Sequence, residues 1–398
     1  MLSRRKFIQL GSLASASLMV PNFLKGFQYG AIPKTGNKVL VIVQLSGGND
    51  GLNTIIPYRN DIYYKSRPLI GIKKESALPL TDDVGLNPAM KGIKQLYDNG
   101  QAAIINGVGY PHPDRSHFRS MDIWQSGSSA AELVTSGWVG RWLDNAPPSS
   151  NAHNALALEV DDTLSLAMKG AERKAIAARD INQFHNAAAN TYFKKLAAHD
   201  EEHDKQLAGY LYKTLRETTS AADYIYDQSK IYTTTQTYPD TQIGKRMKTI
   251  GSLIVSGTET QVYYVSHGSF DTHVNQNDRQ NKLFEQLDAS LTALTDDLKK
   301  NGRFDDVLIM TFSEFGRRIA QNASNGTDHG TASSMLFIGG GLKKAGLYNE
   351  IPSLEDLDDG DLKYKVDFKQ VYATVLDNWL QTDSQKVLEK KYERLSFV

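Results

Sequence analysis

The chain contains no cysteine. Disulfides, thiolate metal sites, iron–sulfur clusters and cysteine nucleophiles are thereby excluded, and a cysteine-free chain suits an oxidising compartment. Excess charge is also missing, since Lys+Arg and Asp+Glu are both 45 among 398 residues. No nucleic-acid partner is expected, because phosphates demand a basic face. Beyond the N-terminus no run of eighteen apolar residues occurs, which excludes a multi-span membrane protein. Repeats and low-complexity segments are lacking too. What is present is 40% hydrophobic and 23% charged residues, an ordinary globular balance in a chain long enough for one large α/β domain.

The first residues, MLSRRKFIQLGSLASASLMVPNFLKG, place Ser3 before Arg4 and Arg5, then Phe7 and Ile8, then a mildly apolar run from Leu10 to Val20. This pattern resembles a twin-arginine export signal; a basic amphipathic helix is the plainer alternative. Segment 1–31 is therefore read as the signal, with the twin-arginine translocase as a partner during export and a periplasmic or otherwise exported location. No clean A-x-A follows Pro21, so an uncleaved signal would serve as a membrane tether.

Residues 32–398 read as a single α/β domain with a mainly parallel central sheet flanked by helices and a helical insertion at about 170–256. Val39–Leu45 is a β-branched run that breaks into Ser-Gly-Gly-Asn-Asp-Gly, the way a buried parallel strand opens a site at its carboxyl end. Asn87–Gly100 has helical spacing, and Ala102–Tyr110 is a second buried strand; the crossover implies parallel pairing. Ala155–Val160 and the run from Thr260 read as further strands, Gln280–Lys300 as a long helix, and Val307–Met310 and Ser333–Leu342 as the last strands. From Ala175 to about Ser256 the chain is alanine-rich and helical. His199 and His203 lie four apart there among acidic residues, a solvated charged face rather than a metal site.

Polar and metal-capable residues gather where the strands end. Asn49-Asp50 follows the first. His112, Asp114, Arg115, Ser116 and His117 follow the second. His267, Asp271 and His273 follow the third, and Glu314, Arg317, Arg318, Asp328 and His329 the fourth. In a parallel sheet such loops emerge on one edge, and mixtures of His and carboxylate suit a divalent metal such as Zn, Mn or Ca. Each piece has a plain reading as well. Asp50 beside glycines is a turn former, Ser116 is a helix N-cap, and Arg317 and Arg318 would pair with surface carboxylates.

The set LSGGNDGLNT, RSHFRSMDIWQSG, FDTH, SEFGR and DHG, behind a twin-arginine signal, resembles the DUF1501 family of exported proteins, which is related to the alkaline phosphatase/sulfatase superfamily. The resemblance runs from about Lys38 to Leu380. It implies an alkaline phosphatase-like fold with metal ligands drawn from Asp50, Asp271, His273, Glu314, Asp328 and His329. Ser116 matches the nucleophile position. Phe315 stands where a metal-binding histidine is common, and no C-x-P-x-R sulfatase signature occurs. A metal site without the complete two-metal phosphatase set is therefore expected.

The chemistry so implied is hydrolysis of a small-molecule or glycan phosphate or sulfate ester, with Ser116 or metal-bound water as nucleophile. Arg115, Arg119 or Arg317 would clamp nonbridging oxygens, and His117 would protonate the leaving group. The alternative is a non-catalytic exported binding or assembly scaffold that retains the fold.

Overall fold

In a computed structural model of the chain, residues 38–147, 155–191, 193 and 206–398 are described. The expected signal segment and the His199/His203 pair lie outside the described residues. Thr35–Val398 forms one compact unit. No helix among the described residues is long and apolar enough to cross a membrane.

Among the described residues, nine strands build the central sheet. In chain order they are β1 (Val39–Leu45), β2 (Ala102–Gly109), β3 (Ala157–Glu159), β4 (Ile176–Ala177), β5 (Val262–His267) and β6 (Val307–Phe312). A separate hairpin, β7 (Arg317–Gln321) and β8 (Thr327–His329), comes next. The sheet resumes with β9 (Ser333–Ile338) and β10 (Gly346–Leu347), a small hairpin β11 (Leu357–Asp358) and β12 (Asp361–Leu362) intervenes, and β13 (Val366–Asp367) completes it. The spatial order is β10-β2-β9-β6-β1-β5-β3-β4, with β13 also on β2. Strand β1 pairs in parallel with both β5 and β6. Only β9 runs against its neighbours, antiparallel to β2 and β6. The expectation of a mainly parallel sheet flanked by helices therefore holds, with one strand reversed.

All seven residues of β1 are buried, as expected of a strand covered on both faces. Alternation sorts them to opposite sides. Leu40 and Ile42 join Trp124, Trp138 and Tyr372 in one core layer. Val39, Val41, Val43 and Leu45 join Ile250, Leu287 and Leu291 in the other. The covering helices are α1 (Gly51–Thr54), α2 (Lys91–Asp98), α3 (His117–Ser126), α4 (Trp138–Asn145), α5 (Ile181–Ala188), α6 (Gln206–Ser229), α7 (Gln242–Val255), α8 (Gln276–Lys300) and α9 (Phe368–Thr374). The stretch read as a helical insertion contributes α5, α6 and α7, and also the short strand β4. Helix α8 begins at Gln276, one turn earlier than its leucine spacing predicts. Its N-cap residue, Asn275, offers no side-chain cap. Instead the β7–β8 turn serves, with the Ser324 and Asn325 carbonyls accepting from the Asn275 and Gln276 N–H groups.

Candidate active site at the carboxyl edge of the sheet

The reversed strand does not scatter the strand-end residues. Because β9 runs the other way, its beginning lies on the edge where β1, β2, β5 and β6 end. The β7–β8 hairpin therefore delivers His329 to that edge just before β9 starts. Loops after β1, β2, β5 and β6 supply the rest.

His117, Asp271 and His329 converge there, with one donor atom from each lying within 4.8 Å of the others. His117 opens helix α3. Its Nδ1 lies 2.9 Å from Glu314 Oε1, and its Nε2 lies 3.6 Å from Asp271 Oδ2. His329 Nδ1 is 2.8 Å from the Arg115 carbonyl, while its Nε2 is 3.3 Å from Asp271 Oδ1. His273 repeats the arrangement, with Nδ1 3.1 Å from Asp328 Oδ1 and Nε2 3.0 Å from Asp271 Oδ1. Carbonyls and carboxylates only accept, so each Nδ1 donates its proton to its outer partner and each ring is left with its Nε2 facing Asp271. That is how an outer acceptor orients a metal-binding histidine. His273 Nε2 and His329 Nε2 are only 3.0 Å apart. A proton or a cation must stand near two ring nitrogens at that distance, and the imidazole and carboxylate donors of His117, Asp271 and His329 are of the kind that suits a divalent ion.

The electrostatics are asymmetric. Hydrogen bonding to Glu314 raises the His117 pKa against its burial. Burial, only partly offset by the bond to Arg115, lowers that of His329. Burial works against the Asp271 charge, but the Arg317 guanidinium outweighs it and the carboxyl is held below the usual range. Asp328 is lowered too, first by the Asn322 side-chain amide.

Other expected residues have different work. Asp50 is fully buried and gripped by Arg67, at 2.6 and 3.0 Å. It also accepts from Leu52 N, capping α1, and from Gln276 Nε2 at 2.5 Å. Its oxygens thus already have partners, and it stands outside the convergent set. Glu314 is likewise an orienting partner: Oε1 accepts from His117 and from Gly47 N, and Oε2 from Ser313. Asp328 orients His273. Arg317 is no free clamp for substrate oxygens. Its Nε donates to Gly48 O at 2.7 Å, Nη1 to Thr327 O at 2.9 Å, and Nη2 to Asp271 and to the Gly47 and Phe270 carbonyls. It locks Asp271 in place. Arg115 and Arg318 pair with Asp359 and Asp361, and Arg119 binds the Ser129, Ala130 and Glu132 carbonyls. Buried His267 bonds the Leu283 carbonyl, away from the cluster.

Ser116 is the N-cap residue of α3, but its side chain makes no cap bond. Its N–H is fixed by Asp114 Oδ1 at 2.7 Å, and it is exposed beside His117. Phe315 fills the place expected of a histidine. Its ring centroid lies 4.9 Å from that of His117 and 4.6 Å from that of His329. Gly48, at φ +78°, is required beside it, because a Cβ there would overlap the Phe315 ring.

The sequence did not point to Arg67 or Gln276, the two side chains that bond the Asp50 carboxylate; no spacing or motif marks either. His117, expected as a proton donor, also stands among the ligand-capable residues.

No curated protein matches the chain. Among solved structures, the lipoteichoic acid synthase LtaP from Listeria monocytogenes is 10% identical over 81% of this chain and 72% of its own, with a TM-score of 0.36. The PsFucS1 sulfatase from Pseudoalteromonas sp. is 10% identical over 92% and 70%, with a TM-score of 0.37. The C-terminal periplasmic domain of EcEptC from Escherichia coli, in complex with Zn, is 7% identical over 78% and 75%, with a TM-score of 0.35. Residues 37–395 match the model described as "Protein of unknown function (DUF1501)", and the chain belongs to that family.

Proposed function

We propose that this chain is an exported metal-dependent hydrolase of phosphate or sulfate esters. The observation that carries the reading is the convergence of His117, His329 and Asp271, with each imidazole turned by an outer acceptor so that its Nε2 faces the carboxylate. These three residues would hold one divalent cation, Zn, Mn or Ca. When bound, the ion supplies charge neutralisation at the ester oxygens and favours ionisation of a nucleophile. His273 flanks the set. Anchored by Asp328 and 3.0 Å from Asp271, it is placed to pass a proton to a leaving group.

Ser116 Oγ, or a water in the same place, is the nucleophile. Its position at the start of the ten-residue helix α3 also favours an approaching anion. Arg317 serves indirectly, by keeping Asp271 ionised and fixed. The small-molecule or glycan ester is the expected substrate, and the twin-arginine signal belongs to the same reading.

A second reading, a non-catalytic binding or assembly scaffold, draws on one observation: Arg115, Arg317 and Arg318 are all engaged by protein acceptors, leaving none of them free to hold a nonbridging oxygen. The two readings separate in one experiment. Purified folded protein is assayed for bound metal and, after Zn²⁺ or Mn²⁺ loading, for turnover of nitrophenyl phosphate and nitrophenyl sulfate. A hydrolase binds close to one equivalent and turns over one of the two, with loss in Ser116→Ala or Asp271→Asn. Metal far below one equivalent and no turnover would sink the hydrolase reading.

A further inference from the structure

The small hairpin β11–β12 turns at Asp359 and Gly360, both at positive φ, +51° and +81°, as a tight two-residue turn requires. Leu357 and Leu362 anchor its strands against a small core that includes Leu52, Ile319 and Ala332. Its tip faces solvent. A Cβ on Gly360 would meet, among the described residues beyond its chain neighbours, Arg318 Nη1 alone, at 3.9 Å.

Two arginines from separate segments converge on this turn. Arg115 Nη1 and Nη2 each lie 3.3 Å from Asp359 Oδ2, and Arg318 Nη2 lies 3.6 Å from the same oxygen. Behind them stands Asp361, which pairs with Arg115 Nη2 and lies 3.6 Å from Arg318 Nε. The two carboxylates are not equivalent. The Asp361 side chain is 0% exposed and that of Asp359 76%, while the two guanidiniums are 37% and 38% exposed. Asp361 therefore fixes both cations from inside the protein. Asp359 meets them from the solvent side, where an ion pair is weak and its anion exchangeable. An Asp-Gly turn explains why an aspartate stands at 359, but not why two guanidiniums share its Oδ2. Asp361 balances one of the two positive charges, so one is left over whenever Asp359 swings away.

We infer that Arg115 and Arg318 form a binding site for a tetrahedral oxyanion, phosphate or sulfate, and that Asp359 is its built-in, displaceable occupant. Planar guanidinium forks match such oxyanions in geometry and charge. The site lies beside the triad, not in it. Arg317 turns to Asp271 and Arg318, next along β7, to Asp359, as alternation in a strand requires. The two are nevertheless joined, because the Arg115 carbonyl accepts from His329 Nδ1 at 2.8 Å. An oxyanion in the place of Asp359 would keep Arg115 anchored while freeing the hairpin tip. The inference goes beyond the hydrolase reading and does not depend on it; a scaffold could carry the same site.

The test is calorimetric titration of the metal-free full chain with inorganic phosphate, inorganic sulfate and phenyl phosphate in turn. Asp359→Asn removes the competing carboxylate and keeps a residue that tolerates positive φ. It should tighten phosphate binding about fivefold, the scale of one exposed ion pair. Arg318→Gln should weaken binding about tenfold, the scale of a charge-assisted contact, with the melting temperature reporting that the fold is kept. If Arg318→Gln does not fold, Asp359→Asn decides alone. Phosphate affinity in Asp359→Asn no higher than in the parent, or affinity retained in folded Arg318→Gln, overturns the site. Phenyl phosphate bound as tightly as phosphate would identify an ester-borne group as the ligand, and binding of the inorganic anions alone a free one; either supports the site. Metal uptake and nitrophenyl ester turnover are read separately, so loss of the hydrolase reading leaves this result standing.

Discussion

Arg67 holds Asp50 through two guanidinium nitrogens, at 2.6 and 3.0 Å, with neither side chain exposed to solvent. The pair fills the end of β1 with a fixed positive charge where an ion was expected. Arg67 Nη1 also reaches Asn53 at 2.7 Å, and its Nε and Nη2 reach the Ile319 and Arg318 carbonyls, so the first loop and the β7 strand are joined through one side chain.

Asp50→Asn should therefore act on stability. It leaves a buried guanidinium without its anion, a change that costs about 3–5 kcal/mol, measurable by urea unfolding at pH 7. Metal content per folded chain should stay at the parent value. Loss of metal with unchanged stability would return Asp50 to the ligand set.

Glu314→Gln should do the reverse. The amide still accepts from Gly47 N and His117 Nδ1 but no longer carries charge, so the fold is kept while the orienting carboxylate is lost. Metal affinity should drop roughly 10- to 100-fold, as outer-partner changes do, in a competition titration with a chromophoric chelator. Equal affinity in the two proteins would mean that His117 does not ligate.

Glu159 provides a pH test away from the site. It is 3% exposed on β3, and burial pushes its pKa up to about 7 from an ordinary 4.5, against the Ser165 N–H bond that lowers it. Below pH 4.5 the folded and unfolded states both hold the proton, and no penalty arises. Between 4.5 and 7 the unfolded chain releases it first, so stability falls as pH rises. Above 7 the full penalty, roughly 3 kcal/mol, is in place. Glu159→Gln should flatten that slope and raise the melting temperature at pH 8. A slope unchanged in the variant would assign the pH dependence to other groups.

Much of the scaffold was legible because burial writes itself into composition. Val39–Leu45, Ala102–Gly109 and Val307–Phe312 are covered on both faces and read as apolar runs, each with a single polar residue: Gln44, Asn106 and Thr311. Direction was not legible: Ser333–Ile338 is as apolar as its neighbours, and nothing in a single strand records which way its partners run. The β7–β8 hairpin was read as loop, since Arg317–Gln321 carries charge at its start. Its signal was Asn325-Gly326, a turn-forming pair, and Asn325 does sit at φ +56°. At the site, residue types were informative and roles were not. Asp50 and Asp271 look alike in sequence, yet each has taken its own arginine: Arg67 buries one among partners, and Arg317 holds the other facing His117, His273 and His329. Phe315 was read as an objection to a second metal, and the structure gives it a packing role against two histidines.

One earlier detail reaches further than the hairpin itself. The β7–β8 turn holds the first amides of α8, while β8 ends in His329 and Gln276 touches Asp50. Opening of the hairpin would therefore release the leading turn of a 25-residue helix, and the two would come loose as a unit. A ligand that rests only on His329 would slow amide exchange at Asn275 and Gln276, more than fifty residues away in the chain, without touching either. The site and the long helix share one local opening event, and occupancy of the first would be felt as rigidity in the second.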